Sequence, residues 1–280
     1  MGFRFANVAG RSALVDADGG WHDAERASGG AVGADPMLAL ESADALHAAS
    51  NLLVNASADG ALADADVRAP VPVPRNVFGV GLNYANHAAE SGVELPEKPV
   101  VFTKFPSCIV GPTADVELRS VTGDYEVELV AVIGGDTRDV SAERAWDHVL
   151  GVTIGQDISD RALQFAAKPA HFDLGKSRDT YGPIGPVLVS TDLFDDPSDI
   201  ALRCDVNGEP RQSDRTSNLI FSVAHLVSYL SSIMTLRTGD LIFTGTPEGV
   251  GATSRNFLQP GDVVTSTIEG IGTMTNHCVE

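Results

Sequence analysis

Asp124-Tyr125-Glu126-Val127-Glu128-Leu129-Val130-Ala131-Val132-Ile133 sets two carboxylates two residues apart at the head of an unbroken apolar run. The run reads as a buried strand over Tyr125 to Ile133. Because side chains alternate along a strand, Glu126 and Glu128 share one face. Like charges crowded against buried apolar surface are costly, and a hard divalent cation between them removes the cost. The competing reading is a solvated strand edge that carries two ordinary glutamates.

Working outward, β-type runs recur at Asn76 to Val80, Val100 to Thr103, Leu150 to Gln156, Gly185 to Ser190, Ala201 to Val206, Asp240 to Thr244 and Asp262 to Ile268. Asn207-Gly208 is a hairpin signal and Gly270 to Gly272 resembles another turn. The clearest helix is expected from Asn218 to Ile233, capped by Ser217 or Asn218, with Phe221, Leu226, Tyr229 and Ile233 near one face. Toward the N-terminus a strand pair is expected near Phe3 to Val15 and a helix near Pro36 to Asn55. Ala69-Pro70-Val71-Pro72-Val73-Pro74 is held extended by its prolines and reads as a linker, giving a small N-terminal domain (1–70) and a larger one (71–280). Strands outnumber helices without regular alternation, so the expected class is α+β, mainly β, and mainly antiparallel.

The chain has 280 residues, 43% of them hydrophobic, enough for a sizeable core, and no apolar run approaches the length of a membrane span. No signal peptide is read at the N-terminus. The formal charge of -19 argues against nucleic acid, whose phosphates need a basic surface. Cys108, Cys204 and Cys278 are widely spaced, which points to a reducing compartment and a cytoplasmic location. Lysine is rare, occurring only at 98, 104, 168 and 176.

Asp157, at the end of a predicted strand, is a third carboxylate candidate, although such a residue also serves as a cap or turn. Glu126, Glu128 and Asp157 form an all-oxygen set suited to Mg²⁺ or Mn²⁺. If Asn83 to Glu90 is helical, His87 and Glu90 lie one turn apart. A carboxylate holding one imidazole nitrogen leaves the other as a general base; the plainer alternative is a solvated surface pair. Lys176, in a loop rich in Gly and Pro, is a candidate to neutralise an oxyanion. Arg161 and Gln164 are candidates to hold a substrate carboxylate or carbonyl. Thr244-Gly245-Thr246-Pro247-Glu248-Gly249-Val250-Gly251 lacks the order of a phosphate loop and reads as a wall of backbone donors for a carboxylate, with Thr246 on the substrate side.

These motifs together resemble the fumarylacetoacetate hydrolase superfamily, in its acylpyruvase and 2-hydroxyhepta-2,4-diene-1,7-dioate isomerase branch. The resemblance is carried by N-Y-x-x-H-x-x-E at 83–90, D-Y-E-V-E-L at 124–129, D-x-S-x-R-x-x-Q at 157–164, K-S at 176–177, V-N-G-E-x-R-Q at 206–212 and T-G-T-P-x-G-V-G at 244–251. It covers roughly residues 74 to 280. It implies a mixed β-roll C-terminal domain, a homodimer, a divalent metal on Glu126, Glu128 and Asp157, and catalytic roles for His87, Glu90 and Lys176. Many relatives read A-R-D where this chain has Asp160-Arg161-Ala162, which weakens any transfer of specificity.

The expected activity is metal-dependent cleavage of a C–C bond in a 2,4-diketo acid, a small anionic acylpyruvate-type substrate, giving pyruvate and a carboxylic acid. Tyr84, Phe105, residues 168–172 and the loop near Tyr181 are expected around the acyl group. The same metal site would also serve oxaloacetate decarboxylation or isomerisation or hydration of unsaturated 2-keto acids, and a non-catalytic metal-binding protein is the rival from another class.

Overall fold

A computed structural model describes residues 2–90, 92 and 94–280. Its longer strands are β1 (Arg4–Val8), β2 (Arg11–Val15), β3 (Gly20–Asp23), β4 (Val77–Gly81), β5 (Val100–Thr103), β6 (Val127–Ile133), β7 (Val149–Gln156), β8 (Gly182–Val189), β9 (Ala201–Val206), β10 (Glu209–Arg215), β11 (Leu241–Phe243), β12 (Val263–Ile268) and β13 (Gly272–Val279). The helices that matter here are α1 (Ala43–Asn51), α2 (Ala85–Glu90), α3 (Arg161–Gln164), α4 (Phe172–Gly175) and α5 (Val223–Ile233). The class is α+β, mainly β, as the patterning implies.

The larger sheet runs β3-β2-β1-β8-β7-β6-β11-β4-β5, with short strands added at its margins. Along this path neighbours are antiparallel except β11 and β4, which run parallel, as does the short added strand Ile109–Val110 beside β8. A second sheet of five strands runs β10-β9-β12-β13 and ends on Val116–Glu117. Every residue of β6 and β7 is buried, as central strands require when both faces are covered. Gly155 is needed there for close packing: a Cβ on it would lie 2.4 Å from Val130 Cγ2.

The first strands enter this same sheet, since β1 pairs with β8 through Phe5 and Leu188 and the Phe3 N–H donates to Ser190 Oγ at 2.8 Å. The helix expected over Pro36 to Asn55 is broken. A single turn at Pro36–Ala39 is capped by Asp35, α1 begins afresh at the Ser42 cap, and a 3₁₀ turn follows from Leu52. Short polar side chains that bond the backbone N–H groups set those starts, against the apolar periodicity.

The expected helix near 218–233 starts later, at Val223, because Ser222 caps it by accepting from the His225 N–H. Its buried stripe is Val223, Leu226, Val227 and Leu230, while Ile233 faces outward. The strand expected from Tyr125 begins at Val127. Just before it, side-chain amides complete the pairing: Gln156 Oε1 accepts the Glu126 N–H and Gln212 Oε1 accepts the Val127 N–H, each at 2.9 Å.

Candidate active site

Antiparallel pairing of β6 with β7 sets Val127 opposite Gln156, which brings Asp157 beside Glu126; the Asp157 N–H donates to Glu126 O at 2.9 Å. Ligand atoms of Glu126, Glu128 and Asp157 all lie within 4.8 Å of one another, and all three residues are buried.

Cations surround two of the three carboxylates. Lys176 Nζ donates to Glu126 Oε2 (2.8 Å), Asp157 Oδ2 (2.6 Å) and Ser159 Oγ (2.9 Å). Lys104, completely buried, donates through Nζ to Asp157 Oδ1 (2.6 Å), Tyr181 O (3.0 Å) and Lys176 O. Arg161 bonds Asp124 Oδ2 (2.8 Å), Glu126 Oε1 (2.5 Å) and Gln164 Oε1 (2.9 Å). Glu128 has no ion-pair partner among the described residues and accepts only the Gly245 N–H at 2.7 Å.

The titration behaviour follows from this division. Burial pushes the Glu126 carboxyl up, but Lys176 and Arg161 outweigh it and hold the group well below the usual carboxylate range. Burial also pushes Glu128 up, and the charges of Asp157 and Glu126 add to it, so it lies well above that range. Burial lowers Lys176, yet Asp157 and Glu126 more than reverse the effect and keep it charged. Asp124, Glu126, Glu128 and Asp157 therefore face Lys104, Lys176 and Arg161 with one positive charge too few. A divalent cation on this hard oxygen set fits both the donor chemistry and the charge deficit.

On α2, His87 Nδ1 lies 2.8 Å from Glu90 Oε1. With Nδ1 donating to that carboxylate, Nε2 is left as the acceptor. Glu90 is itself fixed by the Gly249 N–H, at 3.2 Å from Oε1 and 3.1 Å from Oε2, and by Thr253 Oγ1. Burial raises Glu90, but the bonds from His87 and Gly249 prevail and leave it below its ordinary value.

The 244–251 segment is indeed a row of backbone donors for carboxylates, but those carboxylates are the protein's own. Gly245 serves Glu128, Gly249 serves Glu90, and the N–H groups of Gly251 and Ala252 bond Asp124 at 2.6 and 2.9 Å. Gly249 has φ +101° and a Cβ on it would lie 2.1 Å from Arg211 O, so only glycine brings its N–H to Glu90.

A cavity of about 280 Å³ brings together His87, Glu126, Lys176, Arg161, Gln164 and Thr246. The Thr246 hydroxyl is held by Val127 O (2.9 Å) and Gln212 Nε2 (2.8 Å). Tyr84 is not in the cavity lining; it is 1% exposed and its hydroxyl has no hydrogen-bond partner among the described residues. Sequence reading missed Lys104, whose one signal was the rarity of lysine. It also left Asp124 without a role and did not place Phe165 beside Phe172 at the cavity.

Comparison with known proteins follows the same outline. Residues 76–279 match the family described as Fumarylacetoacetate (FAA) hydrolase C-terminal. The chain belongs to the fumarylacetoacetate hydrolase family. Among its structural relatives within this family is a Mycobacterium smegmatis protein provisionally called HpcE, 43% identical, with a TM-score of 0.89 and 99% of each chain covered. Fumarylpyruvate hydrolase from Pseudomonas aeruginosa, in complex with Mn²⁺ and pyruvate, is 36% identical over 74% of this chain and 90% of that one, with a TM-score of 0.68. The mitochondrial oxaloacetate tautomerase fahd2 of Xenopus laevis is 38% identical over 215 residues, 75% of this chain and 67% of that protein. Members of the family are hydrolases or isomerases. Among the described residues no helix is long and apolar enough to cross a membrane.

Proposed function

We propose that the chain hydrolyses a C–C bond of an acylpyruvate-type 2,4-diketo acid, releasing pyruvate and a carboxylic acid. The observation that carries this reading is the opening of His87, held by Glu90, and of Glu126 onto one cavity. Glu126, Glu128 and Asp157 would hold Mg²⁺ or Mn²⁺, which when bound supplies a cationic seat for the 2-keto acid end and draws electron density from the bond to be broken. The names of the Pseudomonas and Xenopus relatives support a small 2-keto acid as substrate.

His87 Nε2 takes a proton from water as the oxygen adds to the 4-carbonyl, and Glu90 stabilises the imidazolium that forms. Lys176 has three ammonium hydrogens, all engaged by Glu126, Asp157 and Ser159, so it serves the tetrahedral oxyanion by exchanging one of those partners. The Gln164 amide, whose Oε1 is turned to Arg161, offers Nε2 to the same oxygen. Collapse breaks the bond between C3 and C4; the acyl half leaves as the acid, and the pyruvate carbanion takes its proton from His87.

The test is the ultraviolet decay of acetylpyruvate enol with added Mg²⁺ against excess chelator, with pyruvate assayed directly. Metal-dependent decay that yields pyruvate supports the hydrolase; decay equal to the protein-free rate overturns it. The Xenopus relative favours a second reading, oxaloacetate enol–keto interconversion, in which the same His87 shuttles the proton without adding water. Accelerated ketonisation of enol-oxaloacetate, with no hydrolysis of acetylpyruvate, would select it.

A further inference from the structure

The cavity changes character along its length. Its buried end carries every charged group, and both cations there, Lys176 and Arg161, are already paired with carboxylates. The apolar lining that reaches solvent, at the mouth, is Leu82, Phe165, Phe172 and Ala252, while Val80 and Val250 are buried. The Thr253 hydroxyl there is engaged by Val250 O and Glu90.

An aromatic ladder joins the two ends. Lys176 Nζ lies 5.0 Å from the centre of the Phe102 ring. The Phe102 ring meets Phe172 edge-on at 5.7 Å, and Phe172 meets Phe165 edge-on at 6.3 Å. Phe165 is 58% exposed and marks the mouth. Leu82 holds φ at +56°, a left-handed conformation unusual for a residue with a side chain, and it does so at the cavity wall.

We infer that the outer half of this cavity receives an uncharged hydrocarbon or aromatic substituent, so that the chain selects 2-keto acids with an apolar tail over those bearing a second carboxylate. The inference rests on the 2-keto acid reading of the inner site and adds the identity of the distal group. A second carboxylate at the mouth would lose water against Phe165 and Phe172, and among the described residues no free cation lines the cavity to receive it, since neither Lys168 nor His171 of the adjoining loop is part of the lining. The formal charge of -19 further opposes the approach of a dianion. An apolar tail gains by covering the two rings.

The experiment is isothermal titration of the Mn²⁺-loaded protein with two 2-keto acids that cannot undergo the cleavage, 2-oxo-4-phenylbutanoate and 2-oxoglutarate. The phenyl compound is expected to bind about 10-fold or more tightly than the dicarboxylate. Phe165→Ala should weaken the phenyl compound several-fold without weakening 2-oxoglutarate, and Phe165→Arg should narrow or reverse the preference. Equal or tighter binding of 2-oxoglutarate by the unmodified chain overturns the inference. Binding of neither compound removes the 2-keto acid reading and the inference with it. The expected preference without acetylpyruvate hydrolysis would remove only the hydrolase and leave the apolar subsite standing.

Discussion

The acidic cluster of Glu126, Glu128 and Asp157 is buried on or just beyond the central strands β6 and β7 and is bonded by buried Lys176 at the end of α4, while at the mouth Phe172 opens α4 and Phe165, just past α3, lies largely in solvent. The inner groups are fixed by ion pairs and backbone donors drawn from distant parts of the chain. The outer rings are held mainly by one another. The proposed reactivity thus rests on buried groups whose charges are set against one another, and selectivity on positions that can change with little consequence for folding.

The largest departure should come at Glu128. Replacing it with alanine removes a proposed metal ligand and is expected to lower turnover on the order of 10³-fold or more. The melting temperature of metal-free protein should hold or rise, because a buried carboxylate without a cation partner has gone. Manganese titration and turnover decide it; retained affinity and activity would dissolve the distinction between the two ends.

Lys104→Met comes next. It removes one of the two cations on Asp157 and the ammonium donor to the carbonyls of Lys176 and Tyr181, at about 3–5 kcal/mol in a denaturant melt. A cost under about 1 kcal/mol would show that Lys104 is not structural. His87→Ala should reduce turnover by about 10²–10⁴ while Mn²⁺ affinity holds, and equal losses of both would make the imidazole a structural group.

Glu90 supplies a smaller, pH-dependent effect. Its folded value is depressed below the ordinary 4.5, so its stabilising contribution is complete above that value and is lost as pH falls through the folded one. The difference in melting temperature between the unmodified chain and Glu90→Gln should therefore persist at neutral pH and vanish in acid below 4.5. The smallest effect belongs to the mouth: Phe165→Ala should change stability by less than about 0.5 kcal/mol while shifting ligand preference. A large loss of stability there would show that the ladder is part of the core.

What could be read in advance follows the same division. Glu126, Glu128 and His87 announce themselves through short-range spacing, two residues on a strand and three on a helix, and Asp157 through its place just past a strand. Lys104 could not be assigned from its neighbours, since Phe102-Thr103-Lys104-Phe105 looks like any strand end; its partners lie at 157, 176 and 181. Asp124 was in view as part of the acidic stretch, but its bonds to residues 161, 251 and 252 depend on loops that no periodicity describes. Tyr84, next to the helix that carries His87, was expected near the substrate; it is buried and is not part of the cavity lining. The pairing of β1 with β8 was equally invisible, because strand patterns fix which face is buried and not which strand lies alongside.

That pairing bears on how the protein is made. In the β1–β3 meander the outer edge of β1 is covered at Asn7 and Val8 by the short strand Val67–Arg68, but at Arg4 and Phe5 by β8, which is synthesised roughly 10 to 40 s later at ordinary elongation rates. Throughout that interval Phe5 is paired only with Leu14 of β2, and Phe3 lacks its bond to Ser190, although both rings are completely buried in the finished molecule. The nascent chain is thus a client for chaperones that hold exposed strands, and an N-terminal fusion would burden its yield before it touched its catalysis.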